Sequence, residues 1–292
     1  MGCAGVRAWK WIAWFVLLYA AALPALAEDA AGDGGYSLFD PAPDSALRPF
    51  CTDRPTKGTG PCTVDAGHLQ IESDIFNATS DDANGVTTDT LVYTSPNFRL
   101  GLTDTMDAEL NISPFVEIET RDHRTGRTSI VSGFGDMVLR VKTSLVGNGA
   151  GYFSAAFDPF LKIPTAPAGI GNRAVEGGAV VPLAFVLSDV WSLSLVPEMD
   201  LLRNAEDSGR HVAGVVALGL TRAISSQLSA SAEFWTNVDA DPAGAVTQNS
   251  FDIAGSWQPP GSKDLQLDIG GNFGLNADTP AVQVYLGISH RF

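Results

Sequence analysis

The last twelve residues of the chain, 281–292, constrain its fold more than any other stretch. Large, mostly apolar side chains occupy every second position: Val282, Val284, Leu286, Ile288, His290 and Phe292. Small or polar side chains occupy most of the positions between them. This period of two places the two sets on opposite faces of a β-strand. A strand of about 9–11 residues with one apolar face is typical of a stave in a transmembrane β-barrel. The rest of the chain is therefore expected to repeat this stave.

The start of the chain predicts export. Arg7 and Lys10 precede the apolar run 11–22, and Ala25-Leu26-Ala27 follows it. A charged segment, a short apolar segment and an Ala-x-Ala site together indicate a signal peptide, residues 1–27, cleaved after Ala27. An N-terminal membrane anchor is the alternative, but the run is short for a membrane span and Pro24 interrupts it. Export predicts a Gram-negative periplasm or outer membrane.

The charge of the exported chain excludes one class of partner. Without Arg7 and Lys10, 16 of the 18 Lys and Arg residues remain against 33 Asp and Glu. Nucleic acid is not an expected partner, because its binding needs a positive surface. No phosphate-binding loop, metal cluster or dinucleotide fingerprint occurs, so no cofactor is predicted.

Two cysteines remain in the exported chain, Cys51 and Cys62. In an oxidising compartment so close a pair predicts a disulfide, which contributes about 3 kcal/mol in the chain-entropy model. A metal site is the alternative, but only His68 lies nearby as a further ligand. Residues 28–64 show no periodicity and are predicted to be an irregular leader on the periplasmic side that ends in this disulfide loop. The sequence leaves open whether part of this leader folds into the barrel.

Alternating segments recur along the rest of the chain and predict about twelve staves. They lie near 67–77, 90–102, 106–117, 134–146, 152–163, 177–187, 191–202, 212–221, 227–237, 248–257, 264–275 and 281–292. Long connections, such as the polar stretch 78–85 and the charged stretch 120–127, alternate with tight turns. A soluble β-sandwich is the alternative, but it does not account for strands of about ten residues together with an export signal. The sequence therefore predicts an all-β fold, a transmembrane antiparallel up-and-down β-barrel of about 12 strands over residues 65–292.

The predicted inward face of the barrel is strongly charged. The candidate lumen-lining residues are Glu72, Asp74, Arg99, Glu109, Glu117, Asp136, Arg140, Lys142, Asp158, Lys162, Glu198, Asp200, Glu233, Asp252, Asp268 and Arg291. Two interpretations stay open: a packed polar core that plugs the barrel, or an open channel whose acidic lumen prefers cations. The predicted inward aromatic residues are Tyr93, Phe115, Phe160, Trp235 and Tyr285, which either fill volume or line a path for an aromatic solute.

Several short motifs resemble one family. They include Asp53-Arg54-Pro55 and the segments 64–72, 133–142 and 268–276. Together they are similar to the outer-membrane family named after the meta-pathway of phenol degradation. The resemblance implies a porin or transporter for passive uptake or efflux of small solutes, with aromatic or hydrophobic compounds among the candidates.

The final octet, 285–292, is similar to the signal by which the barrel-assembly machinery recognises its clients. Tyr285, Gly287 and Phe292 carry this resemblance, whereas His290 departs from the usual aromatic or apolar residue. It implies two partners, the assembly machinery and the outer-membrane lipid bilayer.

An outer-membrane enzyme of the lipase or hydrolase type is the rival class. Such an enzyme needs a serine with a His and an Asp or Asn. The only histidines are His68, His123, His211 and His290, and none lies beside a nucleophile-elbow motif. The carboxyl pair Glu198 and Asp200 has a spacing suited to acid–base work, but any acidic lumen provides such pairs. No enzymatic activity is therefore predicted.

Overall fold

The computed structural model describes residues 35–206 and 208–292 of the chain. The predicted signal peptide, residues 1–27, lies outside the described residues, as does the beginning of the leader, 28–34.

The described chain is built almost entirely from antiparallel β-strands. In chain order these are β1 (Leu69–Ala83), β2 (Val86–Thr103), β3 (Met106–Asn111), β4 (Phe115–Asp122), β5 (Arg127–Gly133), β6 (Met137–Val146), β7 (Phe153–Ile163), β8 (Glu176–Val180), β9 (Leu183–Val186), β10 (Trp191–Arg203), β11 (Arg210–Ala223), β12 (Leu228–Asp239), β13 (Val246–Trp257), β14 (Leu265–Gly274) and β15 (Val282–Arg291). A short 3-10 turn at Asp44–Ala46 precedes them.

The strands close into a barrel because β1 pairs with both β2 and β15. Three staves are interrupted: β3 continues as β4, β5 as β6, and β8 as β9. Pro114 and Pro182 lie in two of the interruptions, where the missing N–H of proline prevents a continuous ladder. The fifteen segments thus form twelve staves, which confirms the predicted architecture.

The two faces of the barrel differ in the way a membrane requires. On β15, Val284 and Leu286 are 47% and 43% exposed, whereas the alternate residues Tyr285 and Gly287 are buried. Apolar side chains therefore face outward, where lipid replaces water, and polar side chains face inward. No helix in the part of the chain that the structure describes is long and apolar enough to cross a membrane.

Two stretches predicted to be loops are strands and turns instead. Residues 78–83 continue β1, and the turn to β2 consists of Asn84 and Gly85, whose φ angles are +55° and +74°. Asn-Gly adopts this positive-φ hairpin turn readily, and the adjacent Thr and Val residues favour strands. Likewise, residues 120–122 of the stretch 120–127 belong to β4 and residue 127 begins β5, which leaves a four-residue turn at 123–126. The polarity of these residues reflects strands that extend beyond the apolar band.

A paired bulge in β1 and β2 places one predicted lumen residue on the outer face. The ladder skips Ile75 and Thr94, and Thr94 has a φ of +55°. An extra residue in a strand moves every later side chain to the other face. Glu117, which pairs with Leu91 of the shifted β2, therefore lies on the outer face, opposite to the face of Glu109. The expectation that Glu117 lines the lumen is wrong.

The same bulge places two aromatic residues on the outer face that were predicted to point inward. Tyr93 pairs with Phe76 and Phe115 on the outer face, and ring centroids in this cluster lie 6.0 and 5.9 Å apart. Neither Tyr93 nor Phe115 lines the lumen.

A charge on the outer face is expected to destabilise the barrel according to its depth. Leu218→Arg, in the middle of β11, is expected to cost about 2–4 kcal/mol, because the guanidinium must lie in hydrocarbon. Ile224→Arg, in the adjacent turn, is the matched control and is expected to cost about 0–1 kcal/mol. Unfolding of the lipid-reconstituted protein by urea measures both, and equal costs would contradict the assignment of the outer face.

Candidate functional site

The N-terminal leader runs along one rim of the barrel and then enters the lumen. At the rim, Leu38 N donates to Leu102 O at 2.8 Å and Ala42 N donates to Ala66 O at 3.0 Å. The disulfide loop Cys51–Cys62, hereafter the plug loop, contacts inward side chains of β1, β2, β6, β12, β13 and β14. The leader was predicted to lie on the periplasmic side. The sequence leaves open whether any part of it enters the barrel, and the structure places its plug loop inside the barrel, where its charged residues meet opposite charges.

The predicted disulfide between Cys51 and Cys62 is confirmed. Next to it, Gln70 Nε2 donates to Cys51 O at 2.9 Å, and Glu72 Oε2 accepts hydrogen bonds from Asp53 N and Arg54 N at 2.9 and 3.2 Å. The backbone of the plug loop is thereby attached to β1 at the point where it turns into the lumen.

Arg54 lies in a cradle formed by three adjacent strands. Asp268 on β14, Gly287 on β15 and Asp74 on β1 are register partners and so form one row across the inner wall. Arg54 Nη1 donates to Asp74 Oδ1 at 2.6 Å, and Arg54 Nη2 donates to Asp268 Oδ1 at 2.7 Å. A side chain at Gly287 would overlap the guanidinium, so glycine leaves the space that Arg54 fills. Burial opposes the charge, but the two carboxylates outweigh burial and raise the pKa of Arg54.

Asp53 contacts the part of the wall next to this cradle, where two buried cations on β2 and β6 meet it. Lys142 Nζ donates to both carboxylate oxygens of Asp53, at 2.8 and 2.6 Å, and Arg99 Nη1 lies 3.3 Å from Asp53 Oδ2. Arg99 and Lys142 are both 0% exposed. Arg99 also donates to Glu72 Oε1 at 2.7 Å and to Asp107 Oδ2 at 3.0 Å. Carboxylates of the plug loop and of the wall thus share the same two cations.

Lys57 connects the plug loop to a third part of the wall. Its Nζ donates to Ser250 Oγ at 2.7 Å, lies 3.5 Å from Asp252 Oδ2, and is 4.2 Å from the ring centroid of Trp235. Its backbone N donates to Glu233 Oε1 at 3.0 Å. Burial lowers the pKa of the Lys57 ammonium, and the charges of Asp252 and Glu233 oppose that shift.

Other predicted lumen residues form ion pairs away from the plug loop. Arg140 Nη1 lies 3.1 Å from Asp158 Oδ2 on the adjacent strand. Lys162 Nζ lies 3.2 Å from Asp136 Oδ2 and 2.7 Å from Glu176 Oε2.

Two more sets of predicted residues lie apart from these pairs. Glu198 and Asp200 follow one another on the inner face of β10, where they pair with Val180 and Gly178 of β8. Arg291 lies near the rim and bonds Asp65 Oδ2 at 2.6 Å.

The sequence did not reveal the residues that hold the plug loop. The sequence predicts only an irregular leader for Asp53, Arg54 and Lys57, and it does not predict that Asp107 faces inward. Three charges within five residues of an otherwise uncharged loop, between two cysteines, were the available signal. Their partners lie as much as 214 residues away in sequence, which no local pattern indicates.

The described histidines bond to groups other than serine. His68 contacts the carbonyl oxygens of Phe292 and Ala42, and His211 contacts Asn204 Oδ1 at 2.9 Å and Asp239 Oδ1 at 2.8 Å. His123 contacts Thr87 Oγ1, and His290 contacts Asp264 O. Among the described residues, no group of three or more His, Cys, Asp or Glu is arranged to hold a metal ion.

Comparison with protein families decides the relationship of the chain. The model of the family described as "Putative MetA-pathway of phenol degradation" matches residues 52–292. The chain belongs to this family. The match begins next to Cys51 and so includes nearly all of the plug loop, in agreement with the resemblance found in the sequence. The comparison with curated proteins gives no match.

Solved structures share the fold at low sequence identity. An outer-membrane channel from Pseudomonas putida F1 is 14% identical, has a TM-score of 0.59, and aligns 77% of this chain with 95% of its own. CymD, described as a monoaromatic hydrocarbon channel, is 10% identical over 77% of this chain and 87% of its own, with a TM-score of 0.36. The outer-membrane channel DcaP of Acinetobacter baumannii is 11% identical over 77% and 96%, with a TM-score of 0.37. The similarity to the first of these structures supports the barrel fold.

Loss of Arg99 is expected to destabilise the barrel strongly. Arg99→Met leaves Glu72, Asp107 and Glu109 with too little positive charge in a buried site, which is expected to cost about 3–5 kcal/mol. The control is Arg121→Met, because Arg121 makes ion pairs with Asp89 and Glu119 on an exposed surface. That change is expected to cost about 0–1 kcal/mol. Urea unfolding compares the two, and a cost for Arg99→Met as small as the control would refute the buried network.

Proposed function

We propose that the protein is an outer-membrane channel for passive uptake or efflux of small solutes, with an acidic lumen that the plug loop narrows at rest. The observation that carries the proposal is the interior of the barrel, which is lined by charged and amide side chains and filled in part by a loop held through polar contacts. A barrel core of this kind admits water, in contrast to the apolar core of a soluble β-barrel. Membership of the family supports the proposal, since the family resembles porins and transporters.

The proposed location follows from the two faces of the barrel. Its apolar outer face fits the lipid bilayer, and the outer membrane is the compartment in which such barrels occur. We include the barrel-assembly machinery as a partner, with Tyr285, Gly287 and Phe292 as the assembly signal. Phe292 is 62% exposed and its backbone N donates to Leu69 O, so its ring lies at the seam between β15 and β1.

The charge of the wall supports a preference for cations. Carboxylates outnumber cations among the proposed lumen residues. The plug loop carries one net positive charge, from Arg54 and Lys57 against Asp53, and this charge offsets part of the negative charge of the wall. Displacement of the plug loop would leave Asp74, Asp252 and Asp268 facing water. Acidic groups beside a pore attract cations and repel anions.

A structural barrel without transport is the second candidate, and the number of ion pairs on the plug loop favours it. A barrel enzyme is the third. Glu198 and Asp200 lie on the lumen face of β10, but no described serine bonds to a histidine. The channel is preferred because cavities remain beside the plug loop.

Displacement of Arg54 is expected to open the channel. Gly287→Val places a side chain where the guanidinium lies, so the plug loop must move. Because Gly287 also belongs to the proposed assembly signal, the variant is refolded in vitro. The control is Gly255→Val on β13, where an added Cβ meets nothing closer than 3.6 Å. In planar bilayers Gly287→Val is expected to conduct more than the wild type, with cation selectivity, whereas Gly255→Val is expected to match the wild type.

Liposome swelling tests whether solutes pass. The test solutes are a monosaccharide, a charged amino acid and a small aromatic compound. The aromatic compound tests the sequence-based hypothesis of aromatic or hydrophobic solutes. Absence of conductance and of uptake for both the wild type and Gly287→Val would overturn the channel in favour of a structural barrel.

A further inference from the structure

Two adjoining cavities lie in the lumen above the plug loop. One, of about 250 Å³, lies toward the end of the barrel that carries the longer connections. Trp235, Gln248 and Thr279 are among the residues that line it. The other, of about 180 Å³, is lined by plug-loop residues 54–57 and by Tyr285. Lys57, Asn272 and Gln283 line both, so the two cavities form one vestibule whose floor is the plug loop.

A chain of amide hydrogen bonds crosses the wall of this vestibule and has a fixed direction. Asp74 only accepts, so Asn77 Nδ2 must donate to Asp74 Oδ2, at 3.0 Å. Asn77 Oδ1 then accepts from Gln283 Nε2 at 2.9 Å, and Gln283 Oε1 accepts from Asn272 Nδ2 at 2.6 Å. The chain therefore ends in Asn272 Oδ1, which can only accept. This atom has no hydrogen-bond partner although Asn272 is only 4% exposed.

The vestibule presents a donor as well as this acceptor, because Lys57 and Asn272 line both cavities. Lys57 carries three protons on Nζ; one is donated to Ser250 Oγ at 2.7 Å and a second faces Asp252 Oδ2 at 3.5 Å, which leaves the third for a ligand. The buried hydroxyl of Tyr285 also has no partner. A ligand hydroxyl can donate to an amide oxygen and accept from an ammonium group at the same time, which neither a carbonyl nor an ammonium group can do.

The aromatic rings of the vestibule are already occupied. Lys57 Nζ lies 4.2 Å from the ring centroid of Trp235, and Arg54 Cζ lies 5.6 Å from that of Tyr285. A cation over a ring uses the face on which an aromatic ligand would stack. The remaining lining consists mainly of amides and hydroxyls, which suit an aliphatic, hydroxyl-rich molecule better than an aromatic one.

We propose that the vestibule binds a small neutral solute with hydroxyl groups on neighbouring carbon atoms, a polyol or a sugar ring, through Asn272 Oδ1 and Lys57 Nζ. The proposal names the solute class of the channel and in that respect rests on the proposed function. Binding itself needs only the vestibule, because the solute contacts the plug loop from above without displacing it.

The experiment measures binding to the purified full-length barrel by isothermal titration calorimetry. The detergent must lack a sugar head group, since a glycoside detergent would compete. The probes are myo-inositol, glucose, cyclohexanol with its single hydroxyl, and phenol. Saturable binding is expected for at least one of the two polyols, and weaker binding for cyclohexanol and phenol.

Three variants identify the site. Asn272→Leu keeps the size of the side chain but removes the acceptor, and it is expected to weaken polyol binding about tenfold, the effect of one lost hydrogen bond. Tyr285→Phe removes only a hydroxyl and is expected to weaken binding in the same direction. The matched control is Asn237→Leu, because Asn237 also has an unpartnered Oδ1 on the inner wall but does not line the vestibule.

The outcomes separate this proposal from the proposed function. Polyol binding without uptake into liposomes keeps the vestibule site and overturns the channel. Uptake without polyol binding keeps the channel and overturns the site. Tighter binding of phenol than of either polyol, or wild-type binding by folded Asn272→Leu or Tyr285→Phe, also overturns the site.

Discussion

The structure depends on one arrangement, an arginine from the N-terminal leader held between two aspartates of the barrel wall. Arg54 bridges Asp74 on β1 and Asp268 on β14 across Gly287 of the closing strand. Each carboxylate buried there would be costly without this cation, and the cation would be costly without them. The closed seam of the barrel and the position of the plug loop are therefore mutually dependent. The contact crosses from the beginning of the sequence to its end.

The other charged residues of the plug loop also meet opposite charges, on other strands of the barrel. Asp53 contacts Arg99 and Lys142, and Lys57 lies against Asp252 and Trp235. A buried ion pair often contributes little net stability compared with apolar packing, but it specifies which groups must meet. Such contacts fix the position of a loop in a polar lumen, which offers too little apolar surface for hydrophobic burial to do so. They also leave room for water, which is the property that a channel needs.

The barrel could be predicted from the sequence because the period of two is enforced by the membrane. Lipid outside and a polar lumen inside require each stave to alternate, so twelve staves were visible without any tertiary information. Glu117 was misplaced because the bulge at Ile75 and Thr94 inverts the faces, and a bulge depends on local backbone angles that carry no periodic signal. The position of the plug loop could not be predicted for a different reason. Residues 51–62 are irregular in themselves, and only partners on distant strands give them a position.

One cross-link tests directly whether the plug loop lies inside the lumen. A Cβ built on Gly58 lies 3.3 Å from Cβ of Ala217 on β11, close to the separation of about 3.5–4.5 Å found in disulfides. In the double variant Gly58→Cys, Ala217→Cys, assembled in a membrane, this position of the plug loop predicts a second intramolecular disulfide in addition to that of Cys51 and Cys62. A folded barrel in which both new thiols stay free and react with a maleimide would contradict it.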